Sequence, residues 1–391
     1  MTVKLGMFTM PFHHPDRNYA DLLAEDQEAV VLADQLGLLR GLCRRALQLV
    51  ERADHLAAHL PRHRHLARPG RSASAPACST CPRPIPATVA AHAAMFDQLS
   101  GGRFIMGIGP GGLVSDLEMF EVGQAELRPQ MVQESIDIVL KLWAQDPPYE
   151  IDGRFWKFAL KNGVWPEFKV GYIPRPLQQP HPPIALSIIT PNSVERQGGG
   201  GARVDPHLRQ LLPPPLSPRP LGEVPRGCEA VGRRPDPDVW RVSRSILVTE
   251  TDAEAEEYLA DPDSGLSFYY KFFIHSFAQG RKALFMIKPD VDLPDERTTV
   301  DAVKRGMIIA GSPRRVLDQL VALRDEIGHF GTLLMAGHDW DRPALWRRSM
   351  ELLARDVMPR FACARGGNAR ALSAGAAAGR WTSARGRSRS S

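Results

Sequence analysis

Short apolar runs alternate with amphipathic stretches along most of this chain, and that alternation limits its fold more than any other feature. Val3 to Met10 (VKLGMFTM) reads as a strand, and residues 20–37 read as a helix with Leu22, Leu23, Ala29, Val30, Ala33 and Leu36 on one side, stopped at Gly37. A helix follows over Val89 to Leu99, a strand over Arg103 to Gly109, and a helix over 125–143. Strands are expected at Pro183 to Ile189, Val239 to Thr249 and Gly331 to Gly337, with helices at Pro313 to Glu326 and Pro343 to Leu353. Strand–helix alternation of this kind requires a parallel sheet with helical crossovers. No run of 18 apolar residues is present, so no membrane span is expected. The opening Met1-Thr2-Val3-Lys4-Leu5-Gly6 lacks a signal-peptide pattern, which points to the cytoplasm. Five cysteines in 391 residues do not make a disulfide framework.

Three stretches are written differently. Residues 38–85 are rich in arginine and contain no lysine, 194–227 hold Gly198 to Gly201 and LLPPPLSPRP, and the tail from Ala362 is mostly Ala, Gly, Arg and Ser. The tail 362–391 has six arginines and no acid, and 38–87 has nine arginines against Glu51 and Asp54. The net +5 of the whole chain therefore becomes −8 without them. The basic balance belongs to these stretches, and no nucleic-acid face is expected. Arg, Ala, Pro and Gly are what GC-rich codons give out of frame. Stepping the frame one base across Arg40 to Arg64 permits EACVGEHYSLSSEPITSPLIFLAT, an ordinary strand, turn and helix start. We read 38–85 and 194–227 as compensated frameshifts and the tail as an uncompensated one. Codons that forbid the shifted frame would end that idea. The expected organisation is a single domain over 1–361 and a disordered basic tail over 362–391.

The local motifs are individually modest. Gly107-Ile108-Gly109-Pro110-Gly111-Gly112 follows a strand and satisfies G-x-G-x-x-G, but Pro110 and the distance to the next helix argue against a dinucleotide fingerprint. A strand-end loop at a barrel mouth fits better, with a plain glycine turn as the alternative. Arg128 begins a helix, where a guanidinium opposes the helix dipole unless an anion lies there; a solvated arginine is the other reading. Thr190-Pro191-Asn192-Ser193 suits a phosphate or a simple N-cap. Cys78-Ser79-Thr80-Cys81 with His55, His59, His63 and His65 could ligate zinc, yet both parts fall in discordant text without a second cysteine pair, so no metal site is expected. His13 and His14 follow the first strand, where they touch substrate or form a solvated turn. His338-Asp339-Trp340 invites a general base, but no nucleophile lies beside it and a structural role is favoured.

Together these residues resemble the luciferase-like flavin monooxygenases across 1–37, 86–193 and 228–361. The matching text is VKLGMF, then Asp97-Gln98-Leu99-Ser100-Gly101-Gly102-Arg103-Phe104, Met106-Gly107-Ile108-Gly109, Arg128 with Glu134 before Leu142-Trp143, and Asp356-Val357-Met358-Pro359. The string Phe12-His13-His14-Pro15 looks closest to limonene-type members. The resemblance implies a TIM (β/α)8 barrel, partly degraded by the non-native text at 38–85 and 194–227. It also implies a homodimer that binds reduced FMN at the C-terminal ends of the strands. By the same resemblance Gly107 and Gly109 lie near the flavin ring, with Gly109 where luciferase carries a cysteine. Arg128, Thr190 and Ser193 hold the phosphate, and His13 and His14 stand on the substrate side. A flavin reductase supplies reduced FMN, and a small apolar molecule is oxygenated with O2. A deazaflavin-dependent oxidoreductase on the same barrel, or an inactive frameshifted product, are the alternatives. The family places a Glu-His pair after its second strand. Here that pair exists only in the shifted frame, so no catalytic histidine is assigned from 38–85.

Overall fold

The computed structural model describes residues 3–9, 12–38, 40–44, 73–77, 85–108, 114–119, 121, 127–188, 208–210, 236–280, 284–290 and 292–364, with 40–44, 73–77, 114, 116, 186–188, 208–210, 280 and 286 as backbone only. Within them run β1 (Lys4–Thr9), β2 (Arg40–Arg44), β3 (Ala73–Ala77), β4 (Met106–Ile108), β5 (Tyr149–Asp152), β6 (Lys157–Leu160), β7 (Ile184–Ile188), β8 (Leu208–Gln210), β9 (Arg241–Val248), β10 (Ile308–Gly311) and β11 (Thr332–Gly337). The helices are α1 (Tyr19–Gln35), α2 (Pro86–Leu99), α3 (Val114–Met119), α4 (Arg128–Ala144), α5 (Asp252–Ala260), α6 (Gly265–His275), α7 (Val300–Met307), α8 (Pro313–Ile327), α9 (Pro343–Leu352) and α10 (Met358–Cys363). The tail beyond Ala364 lies outside the described residues.

Parallel pairing runs from β1 through β2, β3, β4, β7, β8, β9 and β11 and returns from β11 to β1. An eight-stranded parallel sheet whose last strand pairs with its first is a (β/α)8 barrel. The ring passes through both discordant stretches, because backbone N–H and C=O groups pair whatever side chains they carry. Pairing is thinnest beside them: β3 meets β4 at Ala77↔Gly107, and β8 meets β9 at Arg209↔Val242 and Gln210↔Ser243. On the opposite side β1 and β11 share six registered pairs, from Lys4↔Thr332 to Thr9↔Gly337. The described core falls into two clusters. One joins β1, β9, β10 and β11 to α1 and α5–α10, and the other joins α2, β4, α4 and the β5–β6 hairpin.

Local chemistry explains the elements. Asn18 caps α1 by accepting from the N–H groups of Ala20 and Asp21, and Ser312 caps α8 ahead of Pro313. The string Asp97 to Phe104 is a clamp. The Asp97 carboxylate is fully buried and accepts from the Gln178 backbone N–H and side-chain amide, both at 2.7 Å. The same Gln178 amide donates to Phe104 O at 2.8 Å, which ties the end of α2 to the chain entering β7. Gly101 and Gly102, at φ 62° and 75°, turn the chain between them. Glu134 on α4 accepts from the N–H groups of Arg154, Phe155 and Trp156 at 3.0–3.1 Å, and so gathers the turn of the hairpin. A Cβ on Gly153 would lie 2.1 Å from that carboxylate, which is why glycine stands there. Asp97 therefore fastens the chain entering β4 and β7, and Glu134 holds the hairpin against α4.

Candidate active site

In a (β/α)8 barrel the reacting face lies at the C-terminal ends of the strands. Among the described residues that rim includes Phe12-His13-His14 after β1 and His338-Asp339-Trp340 after β11.

His13 is 1% exposed, and carboxylates take both of its nitrogens: Nδ1 lies 2.6 Å from Asp339 and Nε2 lies 3.0 Å from Asp26. Arg17 extends the network by donating to Asp339 at 2.6 Å and to Glu25 at 2.5 Å. Burial alone would discharge the imidazole, but the hydrogen bonds and charges of Asp26 and Asp339 outweigh it and raise its pKa to about 9. His13 is thus a cationic clamp that fastens the loop after β1 to α1 and to the loop after β11. His14 is about half exposed, with its ring centroid 4.7 Å from that of Phe268.

His338 is arranged in the opposite sense. The register Ser245↔Ala336 puts His338, two residues further on, toward the same side of the sheet as Ser245. Its Nε2 lies 2.8 Å from Ser245 Oγ, which is itself 2.9 Å from Tyr270 Oη, while Nδ1 is buried with no hydrogen-bond partner. Burial among Tyr269, Tyr270 and Trp346 lowers its pKa to about 4, with only a small opposing pull from Asp339. This is the structural role favoured for the His338-Asp339-Trp340 string: Asp339 anchors His13, and His338 braces α6.

The two histidines have opposite linkage to pH. His13 binds its proton more tightly when folded, so its contribution is complete below its ordinary pKa of 6.5 and is lost as pH rises through about 9. His338 resists protonation when folded, so its contribution is complete above 6.5 and is lost as pH falls through about 4. Thermal unfolding followed across pH should therefore show greatest stability near 6.5, and His13→Gln should remove the alkaline decline without altering the acid one. An unchanged alkaline limb in that variant would contradict the clamp.

The remaining sequence-derived residues divide cleanly. Gly107 is buried in β4 and paired with Ala77 and Ala185. Arg128 is the first residue of α4, whose N-terminus has no side-chain cap and no acid in its first turn. That terminus follows β4 and therefore opens on the rim. A helix start with a cation and no acid in its first turn suits an anionic group such as a phosphate. Gly109, Thr190, Ser193, Cys78 and Cys81 lie outside the described residues. The strand that leads to Thr190 and Ser193, β7, pairs directly with β4 through Ile108↔Leu186. Among the described residues no group of His, Cys, Asp and Glu has a metal-binding arrangement.

Sequence reasoning left 250–312 without elements, and α5, α6, α7 and β10 lie there. Asp341 secures part of this insert by accepting from Tyr258 Oη at 2.9 Å, Gly265 N–H at 2.8 Å and Trp346 Nε1 at 3.0 Å. The missed signal was GLSFYYKFFIH, in which Leu266, Tyr269, Tyr270 and Phe273 recur at helical spacing while Lys271 and His275 are exposed.

The model of the family described as luciferase-like monooxygenase matches residues 75–329. The 4-hydroxyprotoasukamycin monooxygenase of Streptomyces nodosus subsp. asukaensis is 29% identical over 300 residues, which are 71% of this chain and 70% of that protein. The limonene 1,2-monooxygenase of Rhodococcus erythropolis is 23% identical over 368 residues, which are 92% and 87% of the two chains. The oxygenating constituent of 3,6-diketocamphane monooxygenase from Pseudomonas putida, solved with FMN, has a similar fold with a TM-score of 0.79 at 20% identity, covering 92% of this chain and 99% of that one. The rim geometry, the closed barrel and the family match agree, and the chain is an enzyme of the luciferase-like monooxygenase family.

Proposed function

We propose that this chain is the oxygenase component of a two-part flavin monooxygenase, taking reduced FMN from a separate reductase and oxygenating a small apolar organic molecule with O2. The observation that carries the reading is Arg128 at the start of α4, a helix with no acid in its first turn that follows β4, the strand paired with the one that leads to Thr190 and Ser193. Arg128, Thr190 and Ser193 would hold the phosphate, while Gly107 and Gly109 let the backbone approach the ring. FMN bound there supplies the activation of O2 and the transfer of one oxygen atom. His14 stands on the substrate side, and His13 behind it keeps the loop after β1 fixed. The names of the relatives, which include limonene and diketocamphane monooxygenases, support an apolar substrate. A homodimer in the cytoplasm belongs to the same reading. Among the described residues no helix is long and apolar enough to cross a membrane.

Flavin fluorescence titration tests it. Arg128→Ala should weaken FMN by about 10- to 100-fold, the value of a charge-assisted phosphate contact, and Arg128→Lys should recover part of that. Riboflavin lacks the phosphate and should bind parent and variant alike. Equal losses for FMN and riboflavin would remove Arg128 from the phosphate site.

A further inference from the structure

Phe168, in the chain between the β5–β6 hairpin and β7, is the most exposed large apolar side chain among the described residues, at 72%. Trp165 and Val170 are exposed on the same turn, at 56% and 42%. Single exposed apolar residues are ordinary on a protein surface, but three gathered on one turn form a patch.

The turn is built to hold them still. Trp165 and Val170 exchange both backbone hydrogen bonds, at 3.1 and 3.2 Å, and the Phe168 N–H donates to Trp165 O inside the loop. Below that bridge the two arms close on each other: a Cβ on Gly171, at φ 87°, would lie 2.9 Å from Gly163 O. Lys169 takes the left-handed backbone, at φ 55°, and its Nζ sits 4.4 Å from the centroid of the Tyr172 ring. An apolar knob ordered before it meets anything loses little freedom on association.

Position and charge say what covers it. Leu160 pairs with Tyr149, just past the end of α4, so the turn leaves the hairpin on the side of the N-terminal ends of the strands, away from the reacting rim. Lys157 and Lys161 on the hairpin are already paired with Asp152 and Glu150, which leaves no surplus charge there for an acidic or anionic partner. Phe168 itself is flanked by one exposed acid, Glu167, and one exposed base, Lys169. A two-fold axis through Phe168 runs two such turns antiparallel and lays Glu167 of each copy against Lys169 of the other. The turn is thus complementary to itself, with aromatic surface at the centre and an ion pair on either side.

We infer that the Trp165–Val170 turn is a self-association contact, joining two copies of this chain through Phe168 about a two-fold axis. The contact does not depend on the monooxygenase reading and leaves the mouth of each barrel open. One turn supplies far less than the roughly 800 Å² per partner of a stable dimer, so the association is weak, with a Kd on the order of 0.1–1 mM.

Sedimentation velocity of the full chain from about 10 µM to about 500 µM tests it. Whatever other face the copies share, the parent should move toward a species of twice the limiting mass as concentration rises. Phe168→Ser should abolish that shift. Glu167→Lys sets like charges face to face across the axis and should weaken association about 3- to 10-fold. Adding Lys169→Glu to it pairs them again and should restore the parent value to within about twofold. All three variants change exposed side chains, and their thermal unfolding midpoints should match the parent's. A parent that shows no such shift, or a Phe168→Ser chain that associates as the parent does, would overturn the contact. So would a loss in Glu167→Lys that the double substitution does not restore, since that marks an asymmetric partner. Binding of the parent to phosphatidylcholine–phosphatidylserine vesicles, abolished by Phe168→Ser and without self-association, would assign the turn to a lipid surface instead.

Discussion

Gly331→Ala should unfold this protein or cost at least about 4 kcal/mol, the range reserved for direct backbone collisions. A Cβ at position 331 would lie 1.7 Å from the carbonyl oxygen of Asp238, a backbone atom that cannot rotate away. Gly331 also receives the Lys4 N–H at 2.9 Å and donates to Trp240 O at 3.1 Å, so displacing it loosens β11 from β1 and β9 together. Gly37→Ala is the control. Its φ of 76° strains any side chain, but nothing lies within 4 Å of the new atom, so the cost should be only about 1–2 kcal/mol. Urea midpoints compare the two, and equal midpoints would show that crowding at Asp238 does not govern this position.

Asp97→Ala is expected to lose about 2 kcal/mol, because it removes a fully buried carboxylate that accepts from two part-buried Gln178 donors. Asp97→Asn should recover less than half of that, since it keeps one acceptor but turns an NH2 group toward a donor. Both variants should also make the chain between Gln178 and β7 more accessible to protease, since that segment is what the carboxylate fixes. If Asn restored full stability, shape and not acceptance would explain the aspartate of the Asp97 to Phe104 string.

Much of the scaffold was legible in the chain. The expected strands at Val3 to Met10 and Gly331 to Gly337 correspond to β1 and β11, and the helix over 125–143 to α4. These segments have strong local patterns with clear stops. The strand expected over Arg103 to Gly109 shortens to Met106–Ile108, because Arg103 spends its Nε on Ser100 O in the glycine turn. The hairpin β5–β6 escaped notice: its strands are four residues each, and Glu134 from a distant helix gathers its turn. The same limit hid the strands in 38–85, whose pairing uses backbone groups that leave no mark in residue type.

Alternation of apolar runs and helices already determined a parallel α/β sheet with helical crossovers, because periodicity is a local property, whereas the barrel was expected only from the resemblance. Tertiary structure alone decided that His13 is charged and His338 neutral. Each imidazole has the same ordinary pKa, and only the groups brought to it from far along the chain, Asp26 and Asp339 for one and a ring of aromatic side chains for the other, set which form is stable.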